Sequence, residues 1–470
     1  MKKISITTTL PYVNADPHIG FALEIIQADI IARWYRQQGD EVFFNTGTDE
    51  HGVKVYRKAL EAKKELQAYV DENAAKFDRL KEALNLSYNS FIRTTDSRHI
   101  VAAQEFWKRC AANGDIYVKH YKIKYCSGCE LEKTESELVD GKCPIHPNLE
   151  LELIEEENYF FRFSKYQEKL LKLYDDQSDF VVPDWRLKEI RSFVARGLED
   201  FSISRLKEKM PWGIAVPGDD SHVMYVWFDA LINYISCLGW PEEKYKDWWP
   251  SVQFAGKDNL RQQSAMWQAM LMSAGLPASK QIMIHGFINS GGQKMSKSLG
   301  NVINPVTIVD EYGADALRYY LARHVNPFED SDFTMEKFKE AYNAGLANGL
   351  GNFVSRVMAM SQKGESGLSF TDQTTRLENL RKHLDSFNFN SAMEHIWQTI
   401  SDGDAKIQET KPFELLKTDP EKAKEVLADL VWRVHAVGVM LEPFMPETSK
   451  IILEAVRENK KPDNLFPRKD

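Results

Sequence analysis

Hydrophobic positions near the amino end of the chain follow two different periods. Residues 4–9 and 41–45 are short β-branched or apolar runs typical of strands. Between them, Ile26, Ile30 and Trp34 recur at helical spacing, which places their side chains on one face of a helix. A strand, a helix and a second strand in this order predict the start of a parallel α/β sheet. Ligands of such sheets bind beyond the carboxyl ends of the strands.

The sheet pattern is interrupted and then resumes further along the chain. Residues 118–157 form short, charged, turn-rich stretches, which indicate a small inserted module. Strand-like runs return at 223–227, 252–254 and 282–284. Beyond Phe333 no strand candidate of comparable strength follows, and long helical patterns predict a helix bundle.

These patterns divide the 470 residues into several predicted domains, because a single hydrophobic core stops growing near about 250–300 residues. The predicted segments are the first half of an α/β domain at 1–117, an insertion at 118–215, the second half of the α/β domain at 216–335, and an all-α domain at 336–470.

Composition and charge narrow the class of protein. With 43% hydrophobic and 27% charged residues, the chain is typical of soluble globular domains. The formal net charge of -9 argues against binding nucleic acid by charge alone, although it leaves room for a local basic face. Neither a signal peptide nor an apolar run near the roughly 18 residues of a membrane helix is apparent. We therefore expect a cytoplasmic protein with no membrane partner.

Cysteine spacing predicts a metal site. Three of the five cysteines crowd together, while Cys110 and Cys237 stand apart. The crowded cysteines and one histidine form two close pairs separated by 13 residues, and four such ligands suit tetrahedral, structural zinc. Free thiols are the alternative. The predicted zinc ligands are Cys126, Cys129, Cys143 and His146.

Two glycine-bearing segments have phosphate-binding chemistry. Residues 291–301 place two lysines and two serines between glycines just beyond a strand, which suits a polyphosphate. Residues 11–20 lead from the first strand into the first helix, whose free N–H groups attract phosphate, with His18 and Gly20 at its start. Taken singly, the first segment is more often a solvated basic loop, and His18 is more often a capping or packing histidine.

Together the two segments resemble the signatures of class I aminoacyl-tRNA synthetases. Residues 18–21, His-Ile-Gly-Phe, resemble the HIGH signature, and residues 294–298 match the KMSKS signature letter for letter. Nearly the whole chain is similar to methionyl-tRNA synthetases, which also carry a zinc knuckle. The similar stretches are residues 10–14, 46–52, 155–161, 225–230, 256–258 and 285–287.

The resemblance implies a fold and an activity. The expected fold is a Rossmann-type parallel-sheet catalytic domain, split by a zinc-binding connective insertion and followed by an α-helical anticodon-binding domain. The second half of the catalytic domain would hold the lysine–serine loop of residues 291–301 and a stem-contact region. The expected reaction joins L-methionine and ATP into methionyl-adenylate and pyrophosphate, with Mg²⁺ assisting, and then transfers methionine to tRNA(Met).

Site residues also follow from the resemblance. The expected catalytic residues are His18, Lys294 and Lys297. The ATP site would add Gly20, Phe21, Glu24, Gly256, Asp258 and Ile284. The methionine site would comprise Leu10, Tyr12, Asp49, Arg205, Trp227, Ala230, Tyr234 and Gln263. The anticodon would be read by Asn352, Arg356 and Phe413.

The sequence departs from the family's usual pattern at three places. Phe21 stands where the second histidine of HIGH is usual, and a phenyl ring cannot donate to phosphate. Gln262-Gln263 stands where Phe-His is common, and Phe413 where a stacking tryptophan is usual. We interpret Phe21 as tuning the activity and not as abolishing it.

Two alternatives remain open at this point. Another class I synthetase, for cysteine, valine or isoleucine, would share the signatures, although the chain is short for the editing insertion of the branched-chain enzymes. A non-catalytic tRNA-binding relative would explain the departures. Because no extra module follows the helical region, we expect a monomer.

Overall fold

The computed structural model describes residues 1–133, 137–295, 300–364 and 373–469, without the side chains of Glu132, Lys294 and residues 373–376. The strands are β1 Lys3–Thr7, β2 Glu41–Thr48, β3 Ser90–Arg93, β4 Ile116–Cys126, β5 Leu131–Lys133, β6 Glu152–Phe161, β7 Val181–Val182, β8 Phe201–Ser202, β9 Ser204–Leu206, β10 Ala215–Val216, β11 Asp219–Met224, β12 Val252–Gly256, β13 Gln281–His285, β14 Ile288–Ser290, β15 Gln293–Lys294 and β16 Ser331–Phe333. The helices are α1 Ile19–Gln37, α2 Val53–Glu61, α3 Leu66–Asp78, α4 Leu80–Ala83, α5 Ser97–Ala112, α6 Gln167–Asp176, α7 Asp184–Ala195, α8 Val226–Ala230, α9 Asn233–Ser236, α10 Trp267–Ser273, α11 Pro305–Tyr312, α12 Ala314–Arg323, α13 Met335–Ala341, α14 Asn352–Gly364, α15 Gln373–Asp385, α16 Phe389–Thr410, α17 Pro412–Thr418, α18 Pro420–Leu441 and α19 Pro446–Arg457.

The chain forms two compact units. The first unit comprises residues 1–17, 41–79 and 88–284. The second comprises residues 18–40, 80–87 and 285–470. The four segment boundaries proposed from the sequence remain predictions. No helix in the described ranges is long and apolar enough to cross a bilayer.

A six-stranded sheet organises the first unit, with the strand order β3-β2-β1-β12-β13-β7. The neighbours β1 and β2 pair in parallel, as do β1 and β12. Ile6 and Phe44 on adjacent strands are fully buried, as expected where both faces of a parallel sheet are covered. The predicted parallel α/β sheet is therefore confirmed.

A second, antiparallel sheet has the strand order β5-β4-β6-β8. Its strands lie mostly within the predicted insertion. The expectation of only short, turn-rich stretches at 118–157 was wrong, because β4 and β6 form a long ladder. Opposite charges on its exposed face hide the strand pattern. Lys122 lies opposite Glu155 in the register, and their charged atoms are 2.9 Å apart. Such cross-strand pairs stabilise a charged strand that has little apolar character.

The run at 223–227 also differs from its prediction as a strand. Here β11 ends at Met224, Tyr225 caps the next element, and α8 begins at Val226. A short apolar run fits a buried helix as well as a strand, so its period alone does not decide between them. This turn places Trp227 and Ala230 on a short helix.

The second unit is mainly helical, as predicted for the carboxyl third. In the described part of the chain beyond Phe333 the regular elements are helices, and α18 packs against α14, α16, α17 and α19. Earlier in this unit, β14 pairs with β15 and β16 to form a small sheet. The predicted helical bundle is confirmed.

A buried ion pair fixes α1 within the second unit. Asp29 and Arg318 are both fully buried, and their charged atoms are 2.7 Å apart. Asp29 also accepts hydrogen bonds from Arg33 and from both donors of Ser87. Burial raises the pKa of Asp29, but the positive charges of Arg318 and Arg33 outweigh it, and the pKa stays below its ordinary value. Arg318 further donates to the carbonyl oxygen of Phe444 at 2.7 Å.

We predict that Asp29→Asn lowers the stability of this unit by about 3–5 kcal/mol at pH 7, because Arg318 would remain buried without its counter-ion. The lowered pKa of Asp29 means that its contribution is present above the unfolded pKa and is lost as pH falls through the folded pKa. The variant should therefore lose less stability than the wild type below about pH 4. Urea unfolding at pH 7 and pH 3 measures both effects.

The matched control is Glu421→Gln, which breaks the exposed pair with Lys424. It should leave the unfolding midpoint unchanged, because exposed pairs contribute little. Equal midpoints for Asp29→Asn and wild type at pH 7 would contradict the prediction.

Candidate active site and metal centre

The four metal-ligand residues predicted from the sequence come together beside the turn between β4 and β5. Cys126 ends β4 and Cys129 follows in the turn, while Cys143 and His146 come from the next loop. That loop folds back, since the His146 N–H donates to the Cys143 carbonyl oxygen at 3.2 Å. Gly128 gives the imidazole room, because a Cβ there would lie 2.5 Å from His146 Cγ.

The donor set fits a single tetrahedral zinc ion. All four ligand atoms lie within 4.8 Å of one another. Cys129 Sγ is 3.5 Å from Cys143 Sγ and 3.2 Å from His146 Nδ1. Ligands bonded tetrahedrally to zinc stand about 3.5–3.8 Å apart, so the side chains need little movement. Three thiolates and an imidazole leave no position for water, which makes the centre compatible with structural zinc.

An aromatic pocket forms where the chain leaves β1 and β2. Tyr12 and Asp49 pair across a parallel bridge, and the Asp49 N–H donates to the Pro11 carbonyl oxygen at 3.0 Å. The ring of Trp227, carried on α8, meets the ring of Tyr12 edge to face at 6.4 Å. Leu10 packs against the adjoining core. The structure thus brings Tyr12 together with Asp49 and Trp227, three of the residues predicted to bind methionine.

Asp49 carries the unusual charge of this pocket. It is 2% exposed, and no described residue hydrogen-bonds its Oδ1. Burial, followed by the negative charges of Asp229 and Glu130, raises the pKa of Asp49 well above its ordinary value. Burial, followed by the charges of Glu130 and Asp49, likewise raises the pKa of the Tyr12 hydroxyl. A cation bound here would relieve this repulsion and complete the hydrogen bonding of Asp49.

Gln263 and Tyr234 form a buried polar pair in the first unit. Gln263 Nε2 donates to the hydroxyl of Tyr234 at 2.6 Å, and both residues are 1% exposed. Gln263 lies in a π-helical turn that runs from Gln262 to Met266, a local widening often found at functional sites. Ala230 is also buried, at the end of α8. Gln263, which departs from the usual family pattern, is therefore hydrogen-bonded to Tyr234, a residue predicted to bind methionine.

Arg205 lies on an aromatic cluster at the base of the insertion. Its guanidinium sits 4.4 Å from the ring centre of Tyr225, and Nη1 donates to the Ser204 carbonyl oxygen at 2.7 Å. Tyr125 and Tyr225 form the cluster, with Trp227 packed against it. The prediction that Arg205 is a charged neighbour of Asp49 stays a prediction.

A buried cluster of Asp229, His51 and His99 was not predicted from the sequence. Asp229 lies 2.6 Å from His51 Nδ1 and 2.7 Å from His99 Nε2. His99 Nδ1 is in turn 2.9 Å from the Ser236 hydroxyl. Burial raises the pKa of Asp229, but the two histidines outweigh burial and bring the pKa below its ordinary value. Asp229 and His51 both lie inside the family-like stretches, which was the available signal.

The start of α1 forms a separate candidate site within the second unit. His18 caps this helix, and its Nδ1 accepts the N–H of Gly20 at 3.0 Å. The ring is therefore neutral, with its proton on Nε2 and available to a phosphate. A Cβ at Gly20 would lie 2.9 Å from His18 Cε1, so the imidazole would have to shift, and 3.7 Å from the Met295 methyl, which is an ordinary contact. Phe21, the next residue, is half-buried.

The Met295 methyl lies close to Gly20, which brings the two signature segments together in the second unit. The Lys294 backbone pairs with Asn289 in the small sheet, but its side chain lies outside the described residues, as does all of Lys297. Glu24, one turn into α1, is buried and lies 2.8 Å from His285 Nε2. The roles predicted for the two lysines remain predictions.

The remaining ATP candidates of the first unit lie at strand ends. Gly256 ends β12, Asp258 follows it on the surface, and Ile284 is buried near the end of β13. Because β12 and β13 are neighbours in the parallel sheet, these positions share its carboxyl edge.

The anticodon candidates lie on helices of the second unit. Asn352 begins α14 and is exposed, and Arg356 follows one turn later with a pair to Asp404 at 3.1 Å. Phe413 at the start of α17 is 47% exposed, which is unusual for a phenylalanine. An exposed aromatic ring is a suitable surface for a stacked base.

Comparison with known proteins gives matches along the whole chain. A family model described as tRNA synthetases class I (M) matches residues 4–152 and 134–358. A second, described as the anticodon binding domain of methionyl tRNA ligase, matches residues 358–468.

Similar individual proteins carry the same description. The methionine–tRNA ligase of Thermosynechococcus vestitus is 42% identical over 471 residues, which cover 95% of this chain and 89% of the relative. That of Thermotoga maritima is 42% identical over 98% of this chain and 76% of the relative. Among solved structures, Mycobacterium tuberculosis methionyl-tRNA synthetase in complex with methionyl-adenylate is 36% identical with a TM-score of 0.90, covering 100% of this chain and 99% of that chain.

We predict that Cys143→Ala lowers the zinc content of the purified protein by at least about half, because three remaining ligands leave the tetrahedral site open. Metal analysis by mass spectrometry gives the zinc content per chain. Cys237→Ala is the matched control, since Cys237 is buried away from the cluster and should retain full zinc. Full zinc in Cys143→Ala would contradict the assignment.

Proposed function

This chain belongs to the family of class I methionine–tRNA ligases, and we propose how its residues share the two steps of the family's reaction. In the first step, a carboxylate oxygen of L-methionine attacks the α-phosphorus of ATP, and pyrophosphate leaves with the electrons of the broken P–O bond. In the second step, a terminal ribose hydroxyl of tRNA(Met) attacks the carbonyl carbon of methionyl-adenylate, loses its proton and displaces AMP. The observation that carries the assignment is the buried carboxyl group of Asp49, whose backbone pairs with that of Tyr12 beside the ring of Trp227.

Methionine recognition is assigned to the aromatic pocket. Asp49 accepts hydrogen bonds from the substrate ammonium group, which supplies the cation that its buried carboxylate lacks. Tyr12 and Trp227 form the wall against the thioether, whose polarizable sulfur favours aromatic edges. Tyr234 closes the pocket, with its hydroxyl held by Gln263. Arg205 supports the same wall through the cluster beneath Trp227.

ATP recognition is assigned to the helix start and the strand ends. His18 donates from Nε2 to a phosphate, and the positive end of the α1 helix dipole adds to this attraction. Lys294 and Lys297 stabilise the charge that develops on the phosphates during transfer. Mg²⁺ enters with ATP as part of the substrate, because it prefers phosphate oxygens and water to a protein cage.

Zinc and tRNA have separate roles in this proposal. The Cys126, Cys129, Cys143 and His146 set holds zinc for structure, and no step of the reaction passes through it. Asn352 and Arg356 hydrogen-bond to the bases of a methionine anticodon, and the exposed ring of Phe413 stacks on one of them.

The direct test is ATP–pyrophosphate exchange with each of the twenty amino acids. We expect methionine alone to support exchange, followed by transfer of labelled methionine to tRNA(Met). Exchange with cysteine, valine or isoleucine would assign the chain to another class I specificity. Silence with every amino acid, together with tRNA binding, would favour a non-catalytic relative.

We predict that Asp49→Asn raises the KM for methionine about ten- to a hundredfold, because a charged hydrogen bond is worth about 1.5–3 kcal/mol. The KM for ATP should change less than about twofold, since Asp49 is assigned to the ammonium group alone. Asp220→Asn, at an exposed position of the same unit, is the matched control. An unchanged methionine KM in Asp49→Asn would show that Asp49 does not hold the substrate.

A further inference from the structure

Glu130 is buried in a conformation that glutamate seldom adopts. It directly follows the metal ligand Cys129, and its φ of 50° lies in the left-handed region. It is also fully buried, although it belongs to a small, charged insertion. A left-handed residue without glycine's freedom and a buried carboxylate are both unfavourable. Such a residue persists only where surrounding contacts hold it, and this often occurs beside a functional site.

The side chain of Glu130 caps a helix from a distant part of the chain. Its Oε1 accepts the N–H of Lys54 at 3.0 Å, in the first turn of α2. Gly52, the residue at the cap position of that helix, has no side chain to do so. A carboxylate at a helix start also interacts favourably with the helix dipole. Since α2 follows Asp49 by only a few residues, Glu130 fixes the segment that leaves the pocket.

The main chain of Glu130 holds the opposite wall. Its carbonyl oxygen accepts a hydrogen bond from the buried Tyr225 hydroxyl. Tyr225 caps α8, which carries Trp227. Tyr12 and Trp227 pack around the same small cluster that contains Tyr225. One residue of the metal-binding turn therefore contacts both segments that supply the pocket's side chains.

The carboxylate of Glu130 also adds negative charge close to Tyr12 and Asp49. Its Oε2 is buried, and a side-chain hydrogen bond with Glu130 is among the causes that raise the pKa of the Tyr12 hydroxyl. The negative charge of Glu130 is among the causes that raise the pKa of Tyr12 and Asp49. Glu130 thus adds to the negative potential that a substrate ammonium group would meet.

We propose that Glu130 is a positioning residue that couples the metal-binding turn to the methionine pocket and sets the affinity for the amino acid. It holds the start of α2 through its carboxylate and the start of α8 through its carbonyl. This inference rests on the proposed function, because the affected ligand is methionine. A role confined to folding the metal-binding turn would instead affect zinc content and leave the KM for methionine unchanged.

The test compares Glu130→Ala and Glu130→Gln in the zinc-loaded, full-length protein. We expect Glu130→Ala to raise the KM for methionine about tenfold, the equivalent of one lost buried hydrogen bond, with full zinc and less than about twofold change in the KM for ATP. Glu130→Gln keeps an acceptor for the Lys54 N–H and should recover part of the loss. Glu150→Ala, an exposed glutamate of the same insertion, is the matched control and should behave as wild type.

A third variant separates positioning from folding of the metal-binding turn. Tyr225→Phe removes the hydroxyl that reaches the Glu130 carbonyl and leaves every residue of the insertion unchanged. It should raise the methionine KM at full zinc content. If Glu130→Ala loses zinc, a wild-type methionine KM in Tyr225→Phe overturns the proposal.

Other outcomes also overturn it. A wild-type methionine KM in Glu130→Ala, or equal increases in the KM for methionine and ATP, would exclude a specific effect on the pocket. If the wild type itself shows no exchange with methionine, the proposed function fails. If the wild type exchanges and Glu130→Ala matches it, only the present inference fails.

Discussion

Carboxylates removed from water constrain much of this molecule, because a buried negative charge needs a cation or several donors. In the second unit, Arg318 and Arg33 neutralise Asp29. In the first, two histidines surround Asp229. Asp49 is less fully neutralised, since its Oδ1 has no donor among the described residues. In the proposed function, the substrate ammonium group neutralises this carboxylate.

The same constraint explains why the pocket is built from distant segments. Asp229 is held by His51 and His99, and it lies on the short helix that presents Trp227. Fixing that carboxylate also fixes the helix, so the aromatic wall is positioned before any ligand binds. Preorganised walls of this kind lower the entropy lost on binding.

The proposed phosphate site depends on a different physical feature, the positive end of the α1 helix dipole, because the N–H groups of Ile19, Gly20 and Phe21 already donate within the protein. His18 completes this helix start, and the bond from the Gly20 N–H forces its ring into the neutral form with a donor at Nε2. Phe21 removes one further donor from the helix start. In the proposed function, the helix dipole and the lysines of residues 294–298 then bear more of the interaction with the triphosphate.

Sequence patterns by themselves predicted the features that depend on residues close together in the chain. The zinc ligands at Cys126 and Cys129, the central strands and the helical carboxyl third were all predictable, because spacing and hydrophobic period are local properties. Tertiary structure alone decided that Glu130 caps a helix 76 residues away and that His51 meets Asp229 across 178 residues. It also ended the strand at Met224 and continued the apolar run as a short helix from Val226. Such pairings follow from the packing of whole elements, which brings together residues that no local pattern relates.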